Sequence, residues 1–392
     1  MSNFFNAIGV ADMEKIHSAM IGWILSDKCK AFNTKEKSKI LCSIFKISPY
    51  TFKEINVNVE VFDIDILITT KRDVNVEECW VIENKIKSNQ HSNQLDKYVD
   101  IINGKAKTKR SKPITMNYKH IIDSNQHYCF LTLIDEAPIG KYWKKWVNAK
   151  YSDLSGILCG YKSVTTGDDG VIFRQYVECI SDLSYSLKDF CCNPQYYPHV
   201  FTDGSKKKTD KNYSAIKCDK GKYALYIAEC GLETIFQKAF LKQYVKKNVP
   251  SISSNIDVKD TRGVAMFDYT YKEIGDFLLQ IQFQGKTFKV VVLHKDYNDV
   301  NSYKYTKLIY GNLDIHKGGS DKVYRIFISL KNGDWKYAPA DNLGKKNAKP
   351  RIALDNNKIA ANWIYEPADF VKGFQEAQKL AEDIAKRLTS IP

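Results

Sequence analysis

The sequence has no CxxC pair anywhere among its ten cysteines, and none of the ten lies beyond Cys230. Only Cys191 and Cys192 are close neighbours. This spacing excludes the usual structural zinc sites and a disulfide framework, and leaves reduced, mostly buried thiols. Long apolar runs are also missing: those present, such as VVVL at 290–293, are far too short to span a bilayer. The opening residues, MSNFFNAIGVADMEK, have neither a basic start nor an apolar core of signal-peptide length. A cytoplasmic location without membrane contact is the resulting expectation. Neither internal repeats nor low-complexity segments occur, and the composition carries no disorder signature.

The 392 residues are enough for two domains with sizeable cores. Fifty-nine Lys and Arg face forty-five acids, a net charge of +14. A charge of this sign and size suits a polyanionic partner, although a lysine-rich composition has other origins. A homo-oligomer is compatible with everything in the sequence.

Along the chain, DMEKIHSAMIGWIL (12–25) has helical spacing with Asp12 as N-cap, and a second helix is expected at 35–46. The period then changes to two. NVNVEVFDIDILIT (56–69) reads as one strand, KRDVNVEE (71–78) as a polar link, and CWVIENKI as the next strand of a hairpin. SNQLDKYVDIIN (92–103) returns to helical spacing, with Leu95, Val99 and Ile102 on the core face. HYCFLTLID (127–135) is nearly continuous in apolar character and belongs inside a sheet. A helical region holding Trp143 and Trp146 is expected next, then mixed sequence to about 200. The polar stretch DGSKKKTDKN (203–212) contains the expected linker, 206–212, between domains at 1–205 and 213–392. The second domain shows a helix at 230–247, several strand-like runs and a final helix at about 366–388, an α+β pattern.

Chemistry concentrates in CWVIENKIKS (79–88). Residues two apart on a strand share a face, so Glu83 and Lys85 point one way. Trp80, Ile82, Asn84 and Ile86 point the other way, toward a core. If the preceding strand pairs with this one, Asp65 or Asp63 converges on Glu83; Asp65 is preferred because ILI follows it directly. Two carboxylates and a lysine form a site for a hard divalent cation, which takes oxygen ligands. The plain alternative is a surface strand with a cross-strand ion pair.

Asp65, then seventeen residues, then Glu83-Asn84-Lys85 resembles the D…ExK core of the PD-(D/E)xK nuclease superfamily. Gln94 and Tyr98 follow as QxxxY, similar to the RecB-like and lambda-exonuclease-like branches, and lie on a helix face apart from Leu95 and Val99. EKIHS at 14–18 is similar to the E-x-x-H-S opening of other members, and FLTL at 130–133 to their next core strand. The Pro-Asp of the superfamily's name is absent. The resemblance covers roughly 12–160 and nothing in 212–392.

It implies a restriction-endonuclease-like α/β domain, a mixed sheet flanked by helices, with the α+β domain after it. It implies Mg²⁺-dependent phosphodiester hydrolysis, with Mn²⁺ as a substitute metal and DNA as the substrate. Asp65, Glu83 and the Asn84 carbonyl would hold the metal. Lys85 would position water and stabilise charge; Gln94 and Tyr98 would order the site or hold phosphate. Glu14 and His17 would be further metal ligands, or else a capping acid and a satisfied histidine. Lys87, Lys105, Lys107, Lys109 and Arg110 would neutralise phosphates, or else form a solvated loop. A non-catalytic nucleic-acid-binding or adaptor protein on the same fold is the competing reading, and a restriction enzyme whose C-terminal half reads sequence is a sharper form of the first.

Overall fold

The computed structural model describes residues 3–73, 76–88, 90, 93–105, 118, 120–163, 165–201, 219–261, 263–275, 277–284, 287–294, 327–331, 334–338, 351–353 and 367–389. The chain divides into two compact units, Met1–Cys192 with Lys220–Phe236 and Asn193–Asp219 with Gln237–Pro392. The expected linker 206–212 lies outside the described residues. Among the described residues, no helix is long and apolar enough to cross a membrane.

The first unit is built on five strands: β1 (Glu54–Val61), β2 (Ile64–Asp73), β3 (Val76–Lys85), β4 (Gln126–Thr132) and β5 (Trp146–Lys150). They lie in that order, so β3 is central. β1, β2 and β3 pair antiparallel, whereas β3, β4 and β5 pair parallel. Parallel neighbours need a crossover, and α4 (Gln94–Ile102) supplies it between β3 and β4. Its Leu95, Val99 and Ile102 pack with Cys79 and Val81 of β3 and with Phe130 of β4. The opposite face of β3 carries Trp80, which meets Phe45 and Phe52 edge-on. That side is built from α1 (Phe4–Ala7), α2 (Glu14–Leu25), α3 (Thr34–Ile44), α5 (Tyr151–Cys159) and α6 (Gly167–Cys192). Asn33 and Glu36 form a capping box at the start of α3. The mixed sheet flanked by helices is the expected fold class.

Four local expectations are corrected. The stretch 56–69 is two strands, because the chain reverses at Phe62-Asp63, with Val61 paired to Ile64. Both turn residues have left-handed φ, 55° and 65°, as a tight two-residue hairpin of this kind demands. The expected polar link 71–78 is ladder as far as Asp73↔Val76. Trp146 opens β5 instead of a helix, since its side chain fills the core between Tyr128 and Tyr98. The supposedly mixed region before 200 contains α6, 26 residues long, whose Phe173, Tyr176, Val177, Ile180 and Leu183 are buried at helical spacing.

The rest of the first unit includes α7 (Ala224–Glu229); α8 (Glu233–Asn248) begins in it and continues into the second. The second unit holds an antiparallel sheet of β6 (Ile256–Thr261), β7 (Val264–Ile274), β8 (Phe277–Gln284), β9 (Thr287–His294) and β12 (Arg351–Ala353), ordered β12-β9-β8-β7-β6. β10 (Phe327–Lys331) and β11 (Asp334–Ala338) form a separate hairpin. The last helix, α9 (Pro367–Thr389), inserts Phe370 among Phe267, Phe283 and Phe288. A second sheet with a C-terminal helix is the expected α+β pattern.

Helix α2 crosses β1 closely at Gly22, where an added Cβ would overlap Val59 Cγ2. Gly22→Ala is therefore expected to lower stability by about 1–3 kcal/mol in denaturant unfolding. Val59→Ala in the same chain should return part of that loss, a coupling that two unrelated sites would not show.

Candidate active site

The β2–β3 register pairs Ile66 with Ile82, so the next step places Asp65 directly opposite Glu83. Residues directly opposite share a face of the sheet, here the one that α4 covers. Asp65 Oδ2 accepts a hydrogen bond from the Asn84 N–H at 2.7 Å. A residue's N–H and C=O lie on the same side of a strand, so the Asn84 carbonyl is also directed toward the β2 side. Glu83 is 0% exposed, and Lys85 Nζ lies 2.5 Å from its Oε1. The neighbouring Tyr98 hydroxyl donates to the Asp63 carbonyl.

The electrostatics follow from this crowding. Burial first, then the Asp65 charge, push the Glu83 carboxyl up to about 8 against the pull of Lys85. Burial likewise raises Asp65, with the Asn84 N–H and Lys85 opposing it. Burial works against a charged Lys85, but Glu83, Asp65 and Glu14 outweigh it and hold the pKa above the ordinary lysine value. Two buried carboxylates thus share one ammonium. Among the described residues, no three His, Cys, Asp or Glu side chains are grouped as a metal site. The oxygen set of Asp65, Glu83 and the Asn84 carbonyl nevertheless fits a hard divalent cation whose remaining ligands are waters and phosphate. The buried Glu83 carboxylate, which shares the Lys85 ammonium with Asp65, is the feature that such a cation would satisfy.

The Asn84 side chain points to the opposite face, as the alternation requires. Its Nδ2 donates to the Glu14 carbonyl at 2.9 Å and to Ser18 Oγ at 3.2 Å, and its Oδ1 accepts from the Tyr151 hydroxyl at 2.7 Å. The Glu14 carboxylate closes over the end of β3. Its Oε1 accepts from the N–H groups of Ile86, Lys87 and Ser88 at 2.8–3.0 Å, and the Ser88 hydroxyl reaches both oxygens at 2.8 Å. Burial alone would raise the Glu14 pKa, but these donors, led by the Ser88 N–H, bring it below the ordinary value. Glu14 therefore acts on Asp65 and Lys85 as a fixed charge while its oxygens clamp the chain.

His17 is not brought to the site, which corrects its expected role as a ligand. Its Nε2 must carry the proton it gives to the Ala11 carbonyl at 2.8 Å, so Nδ1 accepts from the Tyr176 hydroxyl at 3.3 Å. Both nitrogens are occupied, and Tyr151 packs edge-on at 5.3 Å. Ser18 closes the EKIHS motif, whereas Ser88, Tyr151 and Tyr176, which also hold these side chains, were given no such role by sequence reasoning, since no spacing signal links them to the acids.

Gln94 Nε2 donates to the Tyr98 hydroxyl at 2.8 Å, so QxxxY acts as one unit beside Glu83. The expected separation from the core face is corrected for Tyr98. Its ring is 0% exposed and packs with Leu95 and Val99, because position 98 completes the stripe 95, 98, 99, 102. The same helix holds its surroundings: Asp96 accepts from the N–H groups of Lys141 and Tyr142 at 2.9 Å, and Lys97 lies 2.5 Å from Asp63. Asp63 itself sits in the hairpin turn with its side chain 74% exposed, away from the buried acids. Glu60, Phe62 and Asp63 all have left-handed φ at this tip, each at a cost on the order of 1–3 kcal/mol.

Of the basic residues, Lys87 is exposed and ion-paired with Asp12, and Lys105 is exposed just past α4. Lys107, Lys109 and Arg110 lie outside the described residues.

A half-antiparallel, half-parallel sheet with helices on both faces, and paired acids at the open end of its central strands, is a restriction-endonuclease-like arrangement. Residues 2–163 match the family model of the PD-(D/E)XK nuclease superfamily. No curated protein and no solved structure matches the chain.

Burial lowers the His17 pKa from the ordinary 6.5 to about 4. The unfolded chain thus takes up this proton first as pH falls, so the stability tied to neutral His17 is complete above about 6.5 and is lost toward 4. His17→Gln should show a shallower acid-side loss in unfolding measured against pH, by up to about 1.4 kcal/mol per pH unit. An unchanged slope would place the histidine in solvent.

Proposed function

We propose that the first unit is a Mg²⁺-dependent nuclease that hydrolyses phosphodiester bonds in DNA. The observation that carries this reading is the fully buried Glu83 carboxylate opposite Asp65, with the Lys85 ammonium 2.5 Å from its Oε1. A surface ion pair has no reason to be buried in this way, and leaving charge unmatched is costly unless a cation is to be held. The net charge of +14 supports a polyanionic substrate.

In this reading Asp65, Glu83 and the Asn84 carbonyl hold the cation, and Mn²⁺ substitutes for Mg²⁺. When bound, the cation polarises the phosphoryl oxygen and acidifies a coordinated water. Lys85 stays protonated, because its neighbours raise its pKa. An ammonium donates hydrogen bonds and accepts none, so Lys85 orients the attacking water by its oxygen and stabilises the negative charge that grows on phosphorus. Water's oxygen would form the new bond to phosphorus as the bond to the departing sugar oxygen breaks, the water giving up a proton to solvent and the sugar oxygen taking one up from solvent. Gln94 and Tyr98 keep Glu83 and the hairpin in place, and the exposed lysines, among them Lys105, meet the phosphates.

The test is incubation of the protein with linear, circular and single-stranded DNA and with RNA, in Mg²⁺, Mn²⁺ or EDTA. Cleavage of DNA in Mg²⁺ and none in EDTA is expected. Glu83→Gln and Lys85→Met should each lower the rate by about a hundredfold or more while circular dichroism shows an intact fold. Tight DNA binding without metal-dependent cleavage would instead identify a binding module on a nuclease fold.

A further inference from the structure

The β1–β2 hairpin places an aromatic residue where the backbone is least suited to one. A two-residue turn with both central residues in left-handed φ is usually made by Asn-Gly or Asp-Gly. Here the first position is Phe62, at φ 55°. A bulky side chain in that region is a genuine outlier. The residue is 36% exposed, and among the described residues no other aromatic ring meets it. Glu60 and Asp63 beside it also have left-handed φ, so the tip is held in an unfavourable shape over several residues.

The tip is nevertheless firmly fixed. The Tyr98 hydroxyl donates to the Asp63 carbonyl, and Lys97 pairs with the Asp63 carboxylate at 2.5 Å. Both anchors come from α4, whose Tyr98 ring also lies beside Glu83. Phe62 stands three residues before Asp65, on the order of 10 Å along the strand direction, beyond the open end where Asp65 faces Glu83. An exposed apolar ring on a rigid, strained support beside a buried acid pair has the properties of a stacking platform. Every nucleobase offers such a platform a π-face.

We propose that Phe62 stacks on an unpaired nucleobase next to the phosphate that the site cleaves. The preferred substrate is then a strand with at least one unpaired nucleotide at the cut, as in single strands, frayed ends or flaps. This rests on the nuclease reading above and specifies its substrate.

The test is fluorescence anisotropy with a short labelled single-stranded DNA and a blunt-ended hairpin duplex of the same length, in EDTA. Wild-type protein should bind the single strand more tightly. Phe62→Ala should weaken that binding by roughly five- to a hundredfold, and Phe62→Trp should keep it. Phe62→Asn suits the turn better, so it should raise the melting temperature while losing single-strand affinity. A structural Phe62 would not separate the two effects in that way. Equal binding by wild type and Phe62→Ala, or no preference of the wild type for the single strand, would overturn the proposal. Because metal is absent, this result stands apart from the cleavage assay: stacking without cleavage would sink the nuclease reading alone, and cleavage without a Phe62 effect would sink the stacking alone.

Discussion

Asn84 is the residue on which the geometry of the site depends. Its side chain bonds to the Glu14 carbonyl, to Ser18 and to Tyr151, which ties the middle strand to two helices on one face. Its N–H holds Asp65 on the neighbouring strand. Glu83 and Lys85, one residue to either side, point to the other face and inherit that fixed position. A side chain with three bonds to partners on two helices removes the freedom of the peptide that carries it, which is how a site is held to within a fraction of an ångström. The Glu14 carboxylate then binds the N–H groups that follow, so the strand ends where it does.

The cost of this arrangement is electrostatic. Two carboxylates are drawn out of water with one ammonium to balance them, and the chain accommodates them by leaving Glu83 ready to keep a proton up to about 8. Such a site lowers the stability of the fold that carries it, a common relation between activity and stability. The apolar faces of β3 and β4 offset it. Cys79, Val81 and Phe130 are fully buried beneath α4, and Trp80 is fully buried on the far side.

How much of this was legible in the sequence depended on whether the partner was local. The alternation of CWVIENKIKS set the directions of Trp80, Ile82, Glu83, Asn84 and Lys85 correctly, because a strand's period is independent of its neighbours. The hairpin turn was not legible: Phe62-Asp63 contains neither Gly nor Asn, so the alternation reads straight through it. Tyr98 could have been placed, since 95, 98, 99 and 102 are one helical stripe. His17 shares a helix face with Glu14, but its partner Tyr176 lies on α6, inside the stretch that reads from sequence only as mixed. The bonds of Asn84 to Glu14 and Tyr151 join residues about seventy positions apart, and no spacing rule reaches that far.

The first turn of α4 has a consequence for which side chains can be replaced. Gln94, Leu95, Asp96, Lys97 and Tyr98 are five consecutive residues, and each already holds something different. Gln94 holds a tyrosine hydroxyl, Leu95 the core, Asp96 a loop backbone, Lys97 the hairpin acid, and Tyr98 the hairpin carbonyl beside Glu83. Replacing any one of these five side chains therefore loses a hydrogen bond, an ion pair or core packing that holds the site's surroundings. One short helical turn thus carries obligations to the strand end, the hairpin and a distant loop at once, which leaves few of its side chains open to replacement without loss elsewhere.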